Sequence, residues 1–225
     1  MCPINKRRII KNTLFLYLKV IVNTIVLLYS TSLILNALGV IDYGIYGVVG
    51  GVIAMLGYLN TAMAKTTQRF LSFAEGKRDK AKQKVVFNTS VMLHLGIGVS
   101  IFILMEAFYY PLFYGILNIP EERMAAAQFM YHMMAVSTLF TILTVPYDAT
   151  INAHEDLVYY GIVGVFEALL KLAVAFIVVY AMIDKLILYG VLMTTISVLM
   201  MIIMRIYCHQ RYEECVFFPK KYYCN

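Results

Sequence analysis

Long apolar stretches separated by short polar ones dominate this chain. A helix needs about 20 mostly apolar residues to cross the hydrocarbon core of a membrane. Six stretches reach that length, over residues 13–38, 45–64, 85–108, 124–151, 157–182 and 186–208. The pattern predicts an all-α fold, a polytopic membrane bundle of about six transmembrane helices in residues 1–210, followed by a tail over residues 211–225.

Glycine, proline and charge mark the predicted ends of the spans. Residues 39–44 form a short turn between the first two spans, and the most charged stretch, residues 65–84, separates the second from the third. Pro146 is expected to kink or end the fourth helix, because proline lacks the backbone N–H that helices need. Gly47 and Gly51 have the spacing that lets two membrane helices approach closely.

Composition and charge support the membrane interpretation. Hydrophobic residues make up 61% of the chain and charged residues 14%, against about 25% charged in soluble domains. A soluble fold of this size could not hide so much apolar surface. The net charge is +6, but nucleic-acid binding is not expected, because no soluble domain is left to carry it.

The positions of the basic residues predict the orientation. With the N-terminus in the cytoplasm, fifteen lysines and arginines fall in cytoplasmic segments and only two in outside loops. Membrane proteins concentrate basic residues on the cytoplasmic side. We therefore expect a multi-pass protein with both termini cytoplasmic. The basic loop between the second and third spans includes Lys65, Arg69, Lys77 and Arg78.

Several predicted spans carry polar residues at helical spacing. A charge at the bilayer centre costs about 2.5–3.5 kcal/mol, while an interhelical hydrogen bond in a membrane returns about 0.6 kcal/mol. Charged positions therefore need water, a counter-ion or an ionic ligand. The stripes are Asn12, Lys19, Asn23 and Ser30 on the first span; Ser137, Thr141, Thr144 and Asp148 on the fourth; Tyr160, Gly164, Glu167 and Lys171 on the fifth; and Gly190, Thr194 and Ser197 on the sixth.

Five of these residues are candidates for a substrate cavity: Lys19, Asn23, Asp148, Glu167 and Lys171. Glu167 and Lys171 have the order and spacing of a helical ion pair, which is either structural or a charged site on a cavity wall. Lys19 either faces a cavity or an anionic ligand, or extends its ammonium to the lipid headgroups. Asp148 lies either at the mouth of the cavity or simply at a helix end.

Signatures of catalysis or metal binding are absent from the sequence. It has no P-loop, no Gly-x-Ser-x-Gly and no His-Glu-x-x-His. Its four cysteines, Cys2, Cys208, Cys215 and Cys224, lack the spacing of a zinc site and are expected to be reduced, unpaired thiols. His94 and His132 are isolated in the sequence, and packing is the more common role for such residues. No enzymatic activity, cofactor or metal site is predicted.

Six segments carry a resemblance to a known family. They are residues 12–35 and the shorter segments LGVIDYGIY (residues 38–46), QRFL (68–71), VPY (145–147), AHE (153–155) and EALLKL (167–172). In this order and spacing, the chain resembles the Wzx-like flippases of polysaccharide, O-antigen and lipopolysaccharide synthesis in the MATE-like (MOP) superfamily. The resemblance covers essentially the whole chain.

The resemblance implies a function and partners. Such flippases move undecaprenyl-pyrophosphate-linked oligosaccharide across the bacterial inner membrane, using two six-helix lobes around a central, partly cationic cavity. Lys19 and Lys171 are the intramembrane residues whose chemistry suits a pyrophosphate. Family members continue into a second lobe, so we expect membrane lipids and either a second lobe or a second copy of this chain as partners.

Two other functions remain open at this point. A MATE-type multidrug or cation antiporter lobe should carry acidic sites deep in its first helix, where this chain has Lys19 and Asn23. A non-transporting membrane scaffold of a glycan-assembly complex should tolerate the loss of Lys19 and Lys171, whereas a flippase should not.

Overall fold

The computed structural model describes the backbone of residues 6–216 and the side chains of residues 13–15, 17–51 and 61–216. All regular structure in this part of the chain is helical, which confirms the all-α class. The helices are α1 (Lys6–Gly76), α2 (Lys80–Pro111), α3 (Glu121–Ala153), α4 (Leu157–Tyr180) and α5 (Lys185–Arg211), with a π-helical turn at Leu112–Ile116 and a 3-10 turn at Glu213–Cys215.

Helix α1 reverses direction at Gly39, so it contributes two of the six predicted segments. Gly39 has φ 77° and ψ 173°, a conformation essentially restricted to glycine. Phe15, before this break, packs on Gly161 near the start of α4, and Glu75, after it, lies 3.8 Å from His154 just before α4. Both arms of α1 therefore end beside the same turn. We call residues 6–38 α1a and residues 40–76 α1b.

Membrane-length hydropathy recurs along these helices. Among the described residues, five stretches are long and apolar enough to cross a membrane, with mean hydropathies from 1.4 to 2.5. The first, Thr13–Gly51, covers most of α1a and the start of α1b. Large apolar side chains such as Leu28, Val40 and Ile103 are exposed on the outer surface, as expected where lipid replaces water. The side chains of residues 52–60, within the predicted second span, lie outside the described set.

The structure corrects three local predictions. The polar stretch over residues 65–84 is helical except for a turn at residues 77–79, because α1b and α2 continue past their apolar parts. Of the two outcomes predicted for Pro146, ending the helix is wrong, because α3 runs on to Ala153. The predicted turn at residues 39–44 reduces to a single non-helical residue.

Close helix approach occurs at other glycines than those predicted. A Cβ added to Gly47 or Gly51 would meet open space, whereas one on Gly50 would lie 3.2 Å from Met134 Cε of α3. Gly190 of α5 is tighter, since its added Cβ would lie 2.6 Å from Met130 Sδ. The α1b–α3 and α3–α5 contacts therefore depend on glycines outside the predicted motif.

The helices pack as two groups. Helix α1a pairs with α4, and Tyr29 meets Phe176 across that contact with ring centroids 6.1 Å apart. Helices α1b, α2, α3 and α5 form the larger group, in which Tyr46 of α1b packs edge-on against Tyr189 of α5 at 5.2 Å. The two groups are joined by Gly39, by the turns before and after α4, and by a contact at which Tyr159 of α4 stacks on Tyr207 of α5. A cavity lies between the groups.

An ionic cluster closes each end of the bundle. At the Arg123 end, the guanidinium of Arg123 binds Asp42 of α1b and Asp184 before α5, both at 2.6 Å. At the His154 end, the His154 ring contacts Glu214 of the 3-10 turn and faces Glu75. Residues 213–215 of the predicted tail thus pack on the bundle, and residues 217–225 lie outside the described residues.

Candidate functional site

A cavity of about 410 Å³ lies between the α1a–α4 pair and the helices α1b and α5. Small-molecule sites in proteins span about 300–1,000 Å³. Three of the five predicted cavity residues line it: Asn23, Glu167 and Lys171. Since residues three, four or seven apart share one face of a helix, the polar stripes of the first and fifth spans lie side by side on this wall of the cavity.

Glu167 and Lys171 form the predicted ion pair on the cavity wall. Lys171 Nζ lies 2.7 Å from Glu167 Oε1, and the two side chains are 42% and 37% exposed. Among the described lining residues these are the only formal charges, and they neutralise each other. The wall therefore offers one ammonium and one carboxylate, and an anionic ligand would have to compete with Glu167 for Lys171.

Lys19 lies directly behind the cavity wall. Its ammonium is 3.4 Å from the centre of the Tyr160 ring, a cation–π geometry. A Cβ on Gly164, a lining residue, would overlap Lys19 Cε and lie 2.7 Å from its Nζ. Among the described side chains no carboxylate forms an ion pair with Lys19, although the charges of Asp148 and Glu167 both act on it.

Asp148 lies on α3 beside this group rather than in the cavity lining. Its Oδ1 is buried and has no hydrogen-bond partner within the described residues, and the same holds for Asn23 Oδ1 and Ser30 Oγ. Leaving a buried polar atom unpaired costs about 1–3 kcal/mol. Three such oxygens lie on or beside α1a. Water, an ion or a polar ligand that binds to them would therefore recover this free energy.

Tyrosines form a wall of the cavity that the sequence did not point to. Tyr43 and Tyr46 of α1b and Tyr189 of α5 all line it. Residues 39–44 were predicted to form a turn, so Tyr43 was not assigned to the same helical face as Tyr46, three residues later. The available signal was their spacing, since residues three apart on a helix point the same way.

The remaining polar positions have other roles. On the fourth and sixth spans the stripes meet each other, with Ser137 Oγ 2.7 Å from Ser197 Oγ and the Thr194 hydroxyl donating to the Met133 carbonyl at 2.8 Å. They bind α3 to α5 rather than line the cavity. The side chain of Asn12 lies outside the described residues.

The basic residues predicted for the loop are not part of the cavity. Lys65 and Arg69 are exposed on the last turns of α1b, and Lys77 and Arg78 are exposed in the turn to α2. They surround the His154 end of the bundle. The cavity and the basic surface are therefore two separate regions of the molecule.

The histidines and cysteines have defined surroundings. His132 is not isolated, because its Nδ1 lies 3.0 Å from Glu106 Oε1, and His94 Nδ1 lies 2.7 Å from the Ser90 carbonyl oxygen. Cys208 and Cys215 are free and buried, whereas Cys2 and Cys224 fall outside the described residues. The described part of the chain holds no group of three side chains suited to a metal ion.

Comparison with known proteins adds no relative. No family model, no curated protein and no solved structure matches this chain. The candidate site is therefore defined by the cavity, the charges within membrane-length helices and the pairing of polar groups around them. Together these describe a polar compartment inside a bundle of membrane-length helices.

Proposed function

We propose that this chain moves a lipid-linked oligosaccharide across a membrane, as one lobe of a flippase. The observation that carries the proposal is a polar cavity of about 410 Å³ inside a bundle of membrane-length helices. Translocating an amphipathic lipid requires a polar compartment for the headgroup and an apolar surface along which the lipid tail remains in the bilayer. The exposed apolar face of α1a, next to the cavity, supplies such a surface.

Recognition of an undecaprenyl-pyrophosphate headgroup would centre on Lys171. Its ammonium already lies at the cavity wall, where a pyrophosphate could replace Glu167 as its partner through charge-assisted hydrogen bonds. Lys19, behind Gly164, would add a second positive charge once displaced from Tyr160. The resemblance to Wzx-like flippases favours this anionic, saccharide-bearing class of substrate.

The proposed location is a bacterial inner membrane with both termini in the cytoplasm. Lys65, Arg69, Lys77 and Arg78 all lie at the His154 end, which would then be the cytoplasmic end. The Arg123 end would face outward. A second six-helix lobe, supplied by another chain or by a second copy of this one, would complete the cavity.

A reconstituted flipping assay tests the proposal. Full-length protein is reconstituted in proteoliposomes, alone and with its candidate second lobe, together with a fluorescent polyprenyl-pyrophosphate saccharide. The measured quantity is the fraction of the fluorescence that a membrane-impermeant quencher can reach, followed over time. Lys171→Gln should slow flipping at least about tenfold, since a hydrogen bond to a charged group is worth about 1.5–3 kcal/mol. Lys185→Gln, outside the cavity lining, is the matched control and should flip normally.

Two outcomes would contradict the flippase proposal. Equal flipping by protein-free and protein-containing vesicles, with every candidate second lobe tested, would show that the protein does not flip this lipid. Unchanged flipping in both the Lys171→Gln and Lys19→Gln variants would show that these two charges do not recognise the headgroup.

One observation favours a cation antiporter as the second candidate. Asp148 Oδ1 is a buried carboxylate oxygen without a partner among the described residues, and such groups within membrane helices often bind the transported or coupling cation. In that case Asp148→Asn should abolish cation-driven uptake of a cationic dye, and the lipid-linked saccharide should not be moved at all.

A further inference from the structure

The turn between α1b and α2 brings two lysines onto one aromatic ring. Helix α1b ends at Gly76, Arg78 adopts a φ of 54°, and the Asp79 side chain caps α2 by accepting from the Lys82 N–H at 3.0 Å. This tight reversal places Lys77 Nζ 4.4 Å and Lys82 Nζ 5.3 Å from the centre of the Phe73 ring. One lysine comes from each side of the turn.

The two ammonium groups have no acidic partner within the described part of the chain, whereas neighbouring Lys80 pairs with Glu213 at 2.9 Å. The ring face attracts each cation, but the two like charges repel each other. An anion bound between them would remove that repulsion and accept hydrogen bonds from both. The arrangement therefore suits a ligand with a compact negative charge.

The surroundings of Phe73 indicate where that ligand comes from. Phe73 is 52% exposed and Phe70, on the same helix, is 54% exposed. Both lie where α1b leaves the apolar part of the bundle, and Lys65 and Arg69 are exposed beside them. Exposed aromatic rings flanked by lysine and arginine are typical of the headgroup layer of a membrane.

We propose that Lys77, Lys82 and Phe73 form a binding site for the phosphodiester of an anionic phospholipid headgroup. The ring enters the boundary between headgroups and acyl chains, and the two ammonium groups bind the phosphate oxygens. A zwitterionic lipid fits less well, because its own amine would meet a second cation. The site is separate from the cavity, so it does not depend on what the protein transports.

Native mass spectrometry of the detergent-solubilised full chain tests the site. Phosphatidylglycerol and phosphatidylcholine of identical acyl chains are titrated, and the dissociation constant of the first bound lipid is measured. Each lysine near a membrane surface contributes about fivefold in affinity for anionic lipid. The double variant Lys77→Gln, Lys82→Gln should therefore weaken phosphatidylglycerol binding about 25-fold and leave phosphatidylcholine binding unchanged.

The matched control is Lys65→Gln, Arg69→Gln, which removes the same charge from the same end of the bundle but keeps both lysines on the Phe73 ring. It should weaken phosphatidylglycerol binding much less than the first double variant. Phe73→Leu keeps an apolar side chain but removes the platform under both ammonium groups, so it should weaken binding several-fold.

Three results would overturn the proposal. Equal weakening in the two double variants would show a diffuse basic surface instead of a site. Equal affinity of the unmodified protein for the two lipids would exclude recognition of the anionic headgroup. Displacement of phosphatidylglycerol by inorganic phosphate at the same concentration would show that the site takes a soluble phosphate. Thermal unfolding of each variant verifies that the compared proteins are folded.

Discussion

The Arg123 end and the cavity use similar polar groups in opposite ways. Arg123 donates to both carboxylate oxygens of Asp42, at 2.7 and 2.6 Å, and to both of Asp184, at 2.6 and 3.1 Å. Asp184 also accepts the N–H groups of Leu186 and Ile187 at the start of α5. Every oxygen in this cluster has a partner, and the hydrogen bond from Arg123 lowers the pKa of Asp184.

Around the cavity the pairing is incomplete. Asn23, Ser30 and Asp148 each keep a buried oxygen without a partner among the described residues, and Lys19 interacts with a ring instead of a carboxylate. A saturated cluster holds helices in one arrangement, whereas an unsaturated one gains free energy when something binds. The contrast separates a structural region from a candidate binding region, and five predictions test it.

The largest effect is expected from removing Arg123. Arg123→Gln leaves Asp42 and Asp184 facing each other without their shared cation, and breaking a partly buried ion pair from one side costs about 3 kcal/mol. The midpoint of thermal unfolding in detergent should fall accordingly. Lys185→Gln, at the same end but outside this cluster, is the control. A midpoint equal to that of the control would mean that the Arg123 end is not the structural region.

Gly39→Ala should be the next most damaging change. The backbone at Gly39 has φ 77° and ψ 173°, and forcing a side chain into such a region costs about 2 kcal/mol. Gly44→Ala is matched, because Gly44 is helical and an added Cβ there meets open space. Thermal unfolding should therefore separate the two variants. Similar midpoints would show that the reversal between α1a and α1b tolerates a side chain.

Stability at the His154 end should depend on pH. Burial lowers the pKa of His154, but the hydrogen bond and charge of Glu214, with the charges of Glu75 and Asp156, outweigh it and raise the pKa above 6.5. Burial also opposes the shift at Glu214, whose pKa is nevertheless lowered below 4.5 by His154. The stabilisation by His154 is complete below pH 6.5 and is lost as pH rises through its raised pKa.

Stability should therefore fall on the alkaline side, and the contribution of Glu214 is lost as pH falls through its own lowered pKa. Thermal unfolding across pH measures both limbs. His154→Phe keeps an aromatic ring against Tyr212, on which His154 stacks at 4.2 Å, and should flatten the alkaline limb. If the midpoint of thermal unfolding of that variant still falls as pH rises, a group other than His154 is responsible for the pH dependence.

Gly164→Ala probes the unsaturated region directly. The new methyl group would displace the Lys19 ammonium from Tyr160, removing a cation–π contact worth about 1 kcal/mol. Flipping should change several-fold while unfolding changes little. Gly161→Ala is the control, since its Cβ would lie at an ordinary 3.5 Å from the Phe15 carbonyl oxygen. Equal flipping rates in the two variants would remove Lys19 from the candidate site.

The smallest effect on stability concerns the Glu167–Lys171 pair. A half-exposed pair four residues apart on a helix contributes about 0.3–0.5 kcal/mol. If the pair is structural, the double variant Glu167→Gln, Lys171→Gln should lose less transport activity than either single variant, because neither charge is left unpaired. If the double variant transports as poorly as the worse single variant, Lys171 acts on the substrate instead.

Hydropathy and helical spacing predicted the helices and one wall of the site. The apolar stretches become membrane-length helices, and Asn23, Glu167 and Lys171 share a cavity as their spacing implied. These properties are local, because the length of an apolar run and the 3.6-residue repeat are written in neighbouring residues. The same locality explains why the predicted spans stop short of the ends of α1b and α2, since these helices continue beyond their apolar parts.

Contacts between residues far apart in the sequence are determined by the packing of the helices and could not be predicted from local patterns. Arg123 joins Asp42, 81 positions away, to Asp184, 61 positions away, and no local pattern pairs these charges. Lys19 was predicted to face a cavity or the headgroups, but it lies against Gly164 and Tyr160. A side chain's partner depends on which helix lies opposite and at what height, and that is fixed by the packing of the bundle.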